Sequence, residues 1–335
     1  MRCWGENYFG ELGYPTSSNV FAPSSSNVLS GAYDVGAGNS HTCALLNETW
    51  NVSCWGNNGN GQLGTGVRLD LSVPPSRGVL SGVAQIAVGS IHTCALMQGT
   101  GGVRCWGSNH NGQLGVGNTT DLFTPPANDV LVGAIQVAAG DQHTCALMGS
   151  DGGVMCWGLN SYGQLGRGDL NSIYAPPSET IMTAVAKIST GGYHTCALVY
   201  ATGGVRCWGY NRFGQLGVGS MSNLLVPPHS DVLTGVLDIS AGDTHTCAIM
   251  VASRGLRCWG SNTYGQLGVG MAISLLLSPT SFDIVVDCAR VATGSFHTCA
   301  LTEGGDVQCW GYNNYGQLGI GNTTNLFAPS PYILF

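Results

Sequence analysis

The chain of 335 residues carries 52 glycines, and charged residues make up only 9% of it, with a formal net charge of −7. Hydrophobic residues account for 44%, which excludes a disordered chain, because disorder goes with low hydrophobicity and high charge. The basic residues are scattered singly and no apolar run approaches the ~20 residues of a membrane span, so we expect neither nucleic-acid binding nor a membrane span.

A repeat of 51 residues runs along the chain from its first residues. The tripeptide Cys-Trp-Gly occurs seven times, with its cysteines at Cys3, Cys54, Cys105, Cys156, Cys207, Cys258 and Cys309. The tripeptide His-Thr-Cys occurs six times, and its last step is 52 residues. Each Cys-Trp-Gly is followed by x-Asn-x-x-Gly-Gln-Leu-Gly, with Glu11 in place of Gln in the first copy. We therefore expect one repeat domain over residues 1–335.

In chain order, each repeat holds four short apolar segments separated by Gly- or Pro-rich turns. We name them strand a (near Ile86), strand b (His-Thr-Cys-Ala-Leu), strand c (Val-x-Cys-Trp) and strand d (the Pro-containing segment that ends near Leu80). Helical spacing of apolar residues is absent, and four short strands in about 50 residues are typical of one propeller blade. The pattern predicts an all-β, seven-bladed β-propeller with six full blades and a half blade, in which strand d is outermost because proline cannot donate to a central ladder.

These motifs resemble the repeat of the regulator of chromosome condensation family. The shared pattern is Gly-x-x-His-Thr-x-Ala-Leu, then Trp-Gly-x-Asn-x-x-Gly-Gln-Leu-Gly, and it covers essentially the whole chain. The resemblance implies a seven-bladed propeller. The resemblance does not imply one function, because the roles of family members differ widely. Members exchange guanine nucleotides on small GTPases, form domains of ubiquitin ligases or, in one secreted bacterial case, inhibit β-lactamases.

Three departures from the family limit what the resemblance implies. Every repeat has 51 or 52 residues, which leaves no room for the wedge hairpin of the exchange factors. The chain begins Met1-Arg2-Cys3-Trp4, inside strand c, where chromatin-bound members have a basic tail. The regularly spaced cysteines are absent from typical intracellular members.

Twelve of the fourteen cysteines form pairs within repeats: Cys43/Cys54, Cys94/Cys105, Cys145/Cys156, Cys196/Cys207, Cys247/Cys258 and Cys299/Cys309. A turn at Gln98 to Gly101 is symmetric between Cys94 and Cys105, which places the two cysteines opposite each other in a hairpin of strands b and c. We expect six disulfides and an extracellular or secreted protein, with a cytoplasmic or nuclear protein as the alternative. Reduced core thiols, or zinc bound by the repeat His and both Cys, are further alternatives; the second is disfavoured because structural zinc takes four ligands.

Other features bear on secretion and completeness. Four sequons are candidate glycan sites of a secreted chain, at Asn47, Asn51, Asn118 and Asn322. Cys3 and Cys288 are left over from the pairs, and a closed ring would allow them to pair. The c–d half occurs seven times and the a–b half six times, so we expect a fragment of a longer secreted protein, with an unfinished seventh blade as the alternative.

The polar residues that recur in every blade are expected to be structural. We predict that the His-Thr-Cys histidines bond a neighbouring backbone, that the Cys-Trp-Gly tryptophans pack between blades, and that the repeated Asn occupies a left-handed turn. Catalytic motifs such as Gly-x-Ser-x-Gly and His-Glu-x-x-His are absent. The sequence therefore predicts a non-enzymatic protein with no catalytic residue, no cofactor and no metal.

Residues that vary between blades are the candidates for binding a protein partner. Antiparallel strands place the a–b and c–d connections at the same end of each blade, and exposed Tyr, Phe and Arg are typical of interface hot spots. The predicted contact residues are Ile91, Asp141, Gln142, Tyr193, Tyr210, Arg212, Asp243 and Phe296. The recurrent c–d aromatics have an alternative role in packing on their own blade: Phe9, Tyr162, Phe213, Tyr264 and Tyr315.

The functional prediction is a non-catalytic protein-binding scaffold or inhibitor. A guanine-nucleotide exchange factor for a small GTPase is the first alternative, and it follows from the family resemblance. A lectin-like glycan-binding propeller is the second, because the surface combines exposed Tyr with few charges.

Overall fold

A computed structural model describes residues 1–330. Within that range there are nineteen strands and no helix. Accordingly, no described segment is a helix long and apolar enough to cross a membrane. The chain forms two compact units: the first joins Met1–Ser161 and Asn171–Thr183, and the second joins Tyr162–Leu170 with the chain from Ala184 onward. The single repeat domain stays a prediction.

The first unit contains three antiparallel sheets, each with the strand order a–b–c. Their strands are β1 (Ala32–Ala37), β2 (His41–Leu46) and β3 (Val52–Gly56) in sheet 1, β4 (Val83–Val88), β5 (His92–Met97) and β6 (Val103–Gly107) in sheet 2, and β7 (Ala134–Ala139), β8 (His143–Met148) and β9 (Val154–Gly158) in sheet 3. Strands a, b and c therefore lie where the repeat predicts them, and the a–b and c–d connections leave each sheet at the same end.

The second unit repeats this arrangement in sheets 4, 5 and 6, counted over its described residues. Their strands are β10 (Val185–Thr190), β11 (His194–Val199) and β12 (Gly204–Gly209), then β13 (Val236–Ala241), β14 (His245–Met250), β15 (Leu256–Ser261) and β16 (Leu275–Leu276), and finally β17 (Cys288–Thr293), β18 (His297–Thr302) and β19 (Val307–Gly311). Each strand a carries a shift in register near its second residue, so the innermost strand bends where it begins.

The prediction of a regular strand d is wrong for most of the described repeats. In sheet 1 the segment touches strand c through two isolated bridges, Gly56 with Leu71 and Val52 with Leu80. Pro74 and Pro75 lie between these bridges and cannot donate hydrogen bonds, so the ladder breaks there. The segment is nevertheless outermost, as predicted, and in sheet 5 it forms the two-residue strand β16.

The disulfides join strands b and c at the centre of each sheet. Cys94 lies directly opposite Cys105 in the β5–β6 register, as the spacing predicts. Within residues 1–330 six such bridges occur, between Cys43 and Cys54, Cys94 and Cys105, Cys145 and Cys156, Cys196 and Cys207, Cys247 and Cys258, and Cys299 and Cys309. Bridges of this kind persist in an oxidising environment.

The core lies between neighbouring sheets of a unit, where the disulfide of one sheet meets the tryptophan of the next. In the first unit, Cys94 and Cys105 pack in one buried cluster with Trp157, and the same arrangement recurs in the second unit. The Trp106 indole is fully buried and its Nε1 donates to the main-chain carbonyl of Gln62 at 3.0 Å. The Thr93 hydroxyl donates to the same oxygen at 2.9 Å. The predicted packing of tryptophan between blades is thus confirmed, with a hydrogen bond added.

Replacing Trp106 with Phe is expected to lower the free energy of unfolding by about 1–2 kcal/mol, because the substitution deletes a buried N–H donor and keeps most of the ring. Urea unfolding monitored by circular dichroism measures the change. Trp50→Phe is the control, since Trp50 is half-buried and packs edge to face on Tyr33 outside this hydrogen-bond pattern. Equal losses in the two variants would show that the bond to Gln62 contributes nothing.

Candidate functional site

One buried asparagine in each repeat fixes the loop of the c–d connection. Asn109 accepts from the Leu114 N–H at 3.0 Å and donates to the carbonyls of Asn118 at 2.9 Å and Thr120 at 3.0 Å. The prediction of a left-handed backbone at this asparagine is wrong, because positive φ falls on Gly112 (77°) and Gly115 (76°) instead. The side chain ties the loop together while the glycines make its turns.

The repeated histidines are buried parts of the same scaffold. His41 Nε2 lies 3.1 Å from the Thr93 hydroxyl of the next sheet, and His194 Nε2 lies 2.9 Å from Thr246. Because each hydroxyl gives its single proton to a main-chain carbonyl, the network assigns the proton of the ring to Nε2. The predicted structural role stands, but the partner is a threonine side chain and not the backbone.

Burial keeps these imidazoles neutral. It lowers the pKa of His41 to about 3, and the nearby His92 lowers it further. Burial alone lowers the pKa of His194 to about 3. The zinc alternative does not apply here, since each repeat cysteine that would be a ligand is bonded to another sulfur. Within residues 1–330, no group of three or more His, Cys, Asp or Glu is arranged to hold a metal ion.

Aromatic cluster 1 consists of Tyr162, Tyr193, Tyr210 and Phe213, at the a–b and c–d end of sheet 4. The ring centroids of Tyr162, Tyr193 and Tyr210 lie 5.5, 4.7 and 6.5 Å apart, at steep interplanar angles. Phe213 extends the cluster, with its centroid 6.1 Å from that of Tyr210. The Tyr210 N–H donates to the Tyr193 carbonyl at 2.9 Å, so the two loops that carry the rings are joined.

Aromatic cluster 2 repeats this arrangement two repeats further along the chain, at the corresponding end of sheet 6. Its members are Tyr264, Phe296, Tyr312 and Tyr315. The centroids of Tyr264, Phe296 and Tyr312 are separated by 5.4, 4.9 and 6.3 Å, and the Tyr312–Tyr315 separation is again 6.1 Å. The Tyr312 N–H donates to the Phe296 carbonyl at 2.9 Å. The two clusters thus share both their geometry and their main-chain connection.

The clusters are rigid aromatic surfaces that remain in contact with solvent. Tyr162, Phe213 and Tyr315 are 36%, 38% and 40% exposed, while the other rings are half-buried beneath them. Edge-to-face aromatic pairs stabilise one another by about 0.5–1.5 kcal/mol, so the rings are held in place before any partner arrives. Such a surface offers shape and apolar contact area, and side chains that are already packed lose little entropy when they are covered.

The structure brings three predicted contact residues into these clusters and leaves the others apart. Tyr193 and Tyr210 belong to cluster 1, and Phe296 to cluster 2. Arg212 is exposed beside Tyr210, and Asp243 is half-buried in the next a–b connection, where its carbonyl accepts a long bond of 3.5 Å from Gln215. Their roles in binding stay predictions.

In the first unit, the predicted contact residues occupy a–b connections without aromatic neighbours of this kind. Ile91, Asp141 and Gln142 are half-buried, and the Gln142 Oε1 accepts from the Asn111 side chain at 2.6 Å. The position of Tyr193 and Phe296 is therefore occupied by Ile91 and Gln142 in the first unit, and neither is aromatic. The sequence analysis did not predict that these aromatic residues group into clusters, because Tyr162 packs on the following sheet. The recurrence of aromatic residues at equivalent repeat positions, two repeats apart, was the pattern that could have indicated the clusters.

The remaining predicted sites occupy the surface or the core. Asn47, Asn118 and Asn322 are exposed and Asn51 is half-buried, so glycosylation stays a prediction with three accessible candidates. Cys3 and Cys288 take part in no disulfide within the described residues. Burial raises the pKa of each thiol to about 11, which makes both poor nucleophiles at neutral pH.

Sequence comparison matches the chain to known proteins over nearly its whole length. The sequence model of the RCC1-like domain matches residues 1–334. The ultraviolet-B receptor UVR8 of Arabidopsis thaliana is 34% identical over 338 residues, covering 97% of this chain and 76% of the receptor. The E3 ubiquitin-protein ligase HERC2 of Homo sapiens is 31% identical over 340 residues, covering 96% of this chain but only 7% of the ligase.

Solved structures show the same fold. Yeast RCC1 (Prp20), in its crystal structure with bound Kap60, superposes with a TM-score of 0.82 at 24% identity, covering 98% of this chain and 82% of that chain. Human WBSCR16 superposes with a TM-score of 0.82 at 24% identity, covering 100% of this chain and 93% of that one. The predicted all-β propeller fold is thereby confirmed, and six of its repeated sheets are visible in residues 1–330.

Proposed function

Because this chain belongs to the RCC1-like domain family, we propose that it is a non-catalytic protein-binding module, a scaffold or inhibitor, whose aromatic clusters 1 and 2 contact the partner. The recurrence of one exposed aromatic arrangement at two places is the observation that carries the proposal. A purely structural role in packing would explain a single buried ring per repeat, as at Trp106. It does not explain four rings gathered at the surface at the ends of sheets 4 and 6.

The chemistry of the clusters favours a protein partner. Tyr and Phe supply large contact areas with few rotatable bonds, and aromatic residues dominate interface hot spots. Charged residues make up only 9% of the chain, so little electrostatic capture is expected and the aromatic clusters would contact the partner through shape and apolar area.

We propose in addition that the protein acts outside the cell. Six disulfides in the described residues support this placement, because reducing compartments keep thiols reduced. The ectodomain of the Physcomitrella patens receptor kinase CR4 has a related fold, with a TM-score of 0.53 at 22% identity, so the fold itself is compatible with an extracellular protein.

Substituting Tyr210 or Tyr312 with Ala is expected to weaken partner binding by about 25-fold or more, because truncating a hot-spot aromatic costs at least about 2 kcal/mol of binding free energy. The partner is first captured from secreted protein fractions on the immobilised chain and identified by quantitative mass spectrometry. Calorimetric titration of the purified partner then measures the dissociation constant for wild type and each variant.

Tyr200→Ala is the matched control. Tyr200 is 81% exposed in the b–c turn, at the opposite end of sheet 4 from aromatic cluster 1, so its loss should leave binding unchanged. A partner that Tyr200→Ala loses, and that Tyr210→Ala and Tyr312→Ala retain, would place the contact at the other end of the sheets and overturn the proposal.

The exchange-factor alternative has its own test. Yeast Prp20p is described as binding Gsp1p and histones, but its 24% identity to this chain shows the fold alone. Release of a fluorescent guanine nucleotide from small GTPases, accelerated by this chain, would replace the non-catalytic proposal. Saturable binding on a glycan array, lost in Tyr210→Ala, would instead favour the lectin-like alternative.

A further inference from the structure

The first copy of the repeat carries two acidic residues where the second copy carries an amide pair. In the second copy, the Gln62 Nε2 donates to the Asn57 Oδ1 at 2.8 Å. The equivalent residues of the first copy are Glu6 and Glu11, one step of 51 residues earlier. The donor of this pair is therefore replaced by a second acceptor.

Glu11 is held in place by its main chain and by one of its carboxylate oxygens. Its carbonyl accepts from the Thr42 hydroxyl at 2.7 Å and from the Trp55 indole at 3.0 Å. Its Oε2 accepts from the Phe9 N–H at 2.8 Å. The residue is only 8% exposed, and within residues 1–330 its Oε1 has no hydrogen-bond partner.

The surroundings of this carboxyl group are acidic. Burial raises the pKa of Glu11, two backbone N–H bonds oppose the rise, and the negative charges of Glu6 and Asp70 add to it. Glu6 is half-buried and Asp70 is exposed in the c–d connection of sheet 1. A buried carboxylate oxygen without a hydrogen-bond partner is costly.

We propose that Glu11, Glu6 and Asp70 form an acidic recess that binds a basic side chain, an arginine guanidinium, of the protein partner. The unpartnered and buried Oε1 supplies the acceptor that an N–H donor would fill. A guanidinium is preferred to a metal ion because these carboxylates are not grouped to hold one. Its several N–H donors also suit a set of acceptors that lie at different positions.

The recess deepens the proposed function and rests on it, since it assigns a chemical feature to the partner of the module. It lies in the first unit, while aromatic clusters 1 and 2 lie in the second. Binding of a basic group to the recess is therefore measurable without the partner and without either cluster.

The blocked tripeptide acetyl-Gly-Arg-Gly-amide is the probe, titrated into the full chain at low ionic strength and followed by NMR. We expect saturable shifts of the Phe9 amide and the Trp55 indole N–H, which donate to the two ends of Glu11. Glu11→Gln restores the residue of the other copies, so it should fold normally and weaken peptide binding by about tenfold, the loss expected for one charge-assisted hydrogen bond.

The uncharged analogue with citrulline in place of arginine serves as the control peptide and should produce no saturable shift. Equal binding of the arginine peptide to wild type and Glu11→Gln would overturn the proposal, as would the absence of saturation. Saturable shifts produced by calcium alone, at lower concentration than by the peptide, would reassign the recess to a metal. Failure of the Tyr210→Ala and Tyr312→Ala tests would leave this titration unaffected, so the two proposals fail separately.

Discussion

Reduction of the disulfides is expected to unfold the chain at 25 °C. Each bridge within residues 1–330 closes a loop with a sequence separation of 10 or 11 residues. On the loop-entropy model, each closure stabilises the fold by about 3 kcal/mol. The loss of six such contributions exceeds the net stability of about 5–15 kcal/mol that folded proteins possess.

Far-ultraviolet circular dichroism and the fluorescence of the buried tryptophans follow the unfolding as dithiothreitol is added, and intact mass after alkylation verifies which cysteines have opened. A single bridge is tested with Cys196→Ala/Cys207→Ala, which should lower the free energy of unfolding by about 3 kcal/mol. Cys3→Ala is the control, because Cys3 takes part in no disulfide. A fully reduced chain that keeps its melting temperature would contradict the prediction.

Mild acid is expected to destabilise the fold strongly. Burial lowers the pKa of His41, His194 and His245 to about 3 and that of His92 to about 4, from an ordinary value of 6.5. Below pH 6.5 the unfolded chain binds protons that the folded chain excludes, so stability present above pH 6.5 is lost as the pH falls toward 4. With four such groups, the free energy of unfolding should fall by about 5 kcal/mol for each pH unit of acidification near pH 5.

The melting temperature measured between pH 7.5 and pH 4.5 checks this expectation. His194→Gln removes one buried titrating group, so the pH dependence of the free energy of unfolding should decrease by about 1.4 kcal/mol per pH unit. His110→Gln is the matched control for removing a histidine, because the His110 side chain is 70% exposed and is not one of the buried repeat histidines. A melting temperature independent of pH across this range would show that the buried rings accept protons in the folded state.

Much of the fold could be predicted because its signals lie within one repeat. Cys94 and Cys105 flank a symmetric turn, so their pairing followed from spacing alone. The prediction of a left-handed backbone at the repeated asparagine was wrong for a physical reason. Asn109 uses its side chain to bond three main-chain groups of the loop. A glycine at each bend already supplies the positive φ angle. The prediction of strand d as a regular strand was wrong because two adjacent prolines break its pairing with strand c.

Predictions failed or stayed incomplete where the interaction joins neighbouring repeats. The partner of His41 is Thr93, a hydroxyl 52 residues away, and no local pattern identifies it. Tyr162 likewise packs on Tyr193 and Tyr210 of the following sheet. Because these residues are far apart in the sequence, no sequence pattern showed that they form one site. Knowledge of how sheets stack was needed to assemble them.

The bonds to the Gln62 carbonyl have a consequence for how such an array evolves. Trp106 and Thr93 reach the main chain of the preceding copy, and the equivalent pair in sheet 1 reaches the main chain of Glu11. A duplicated copy would arrive with its donors and its acceptor already in register, so the array can lengthen by whole copies. Because the acceptor is a backbone oxygen, the side chain at that position remains open to mutation, and Glu11 illustrates a change that leaves the scaffold bonds intact.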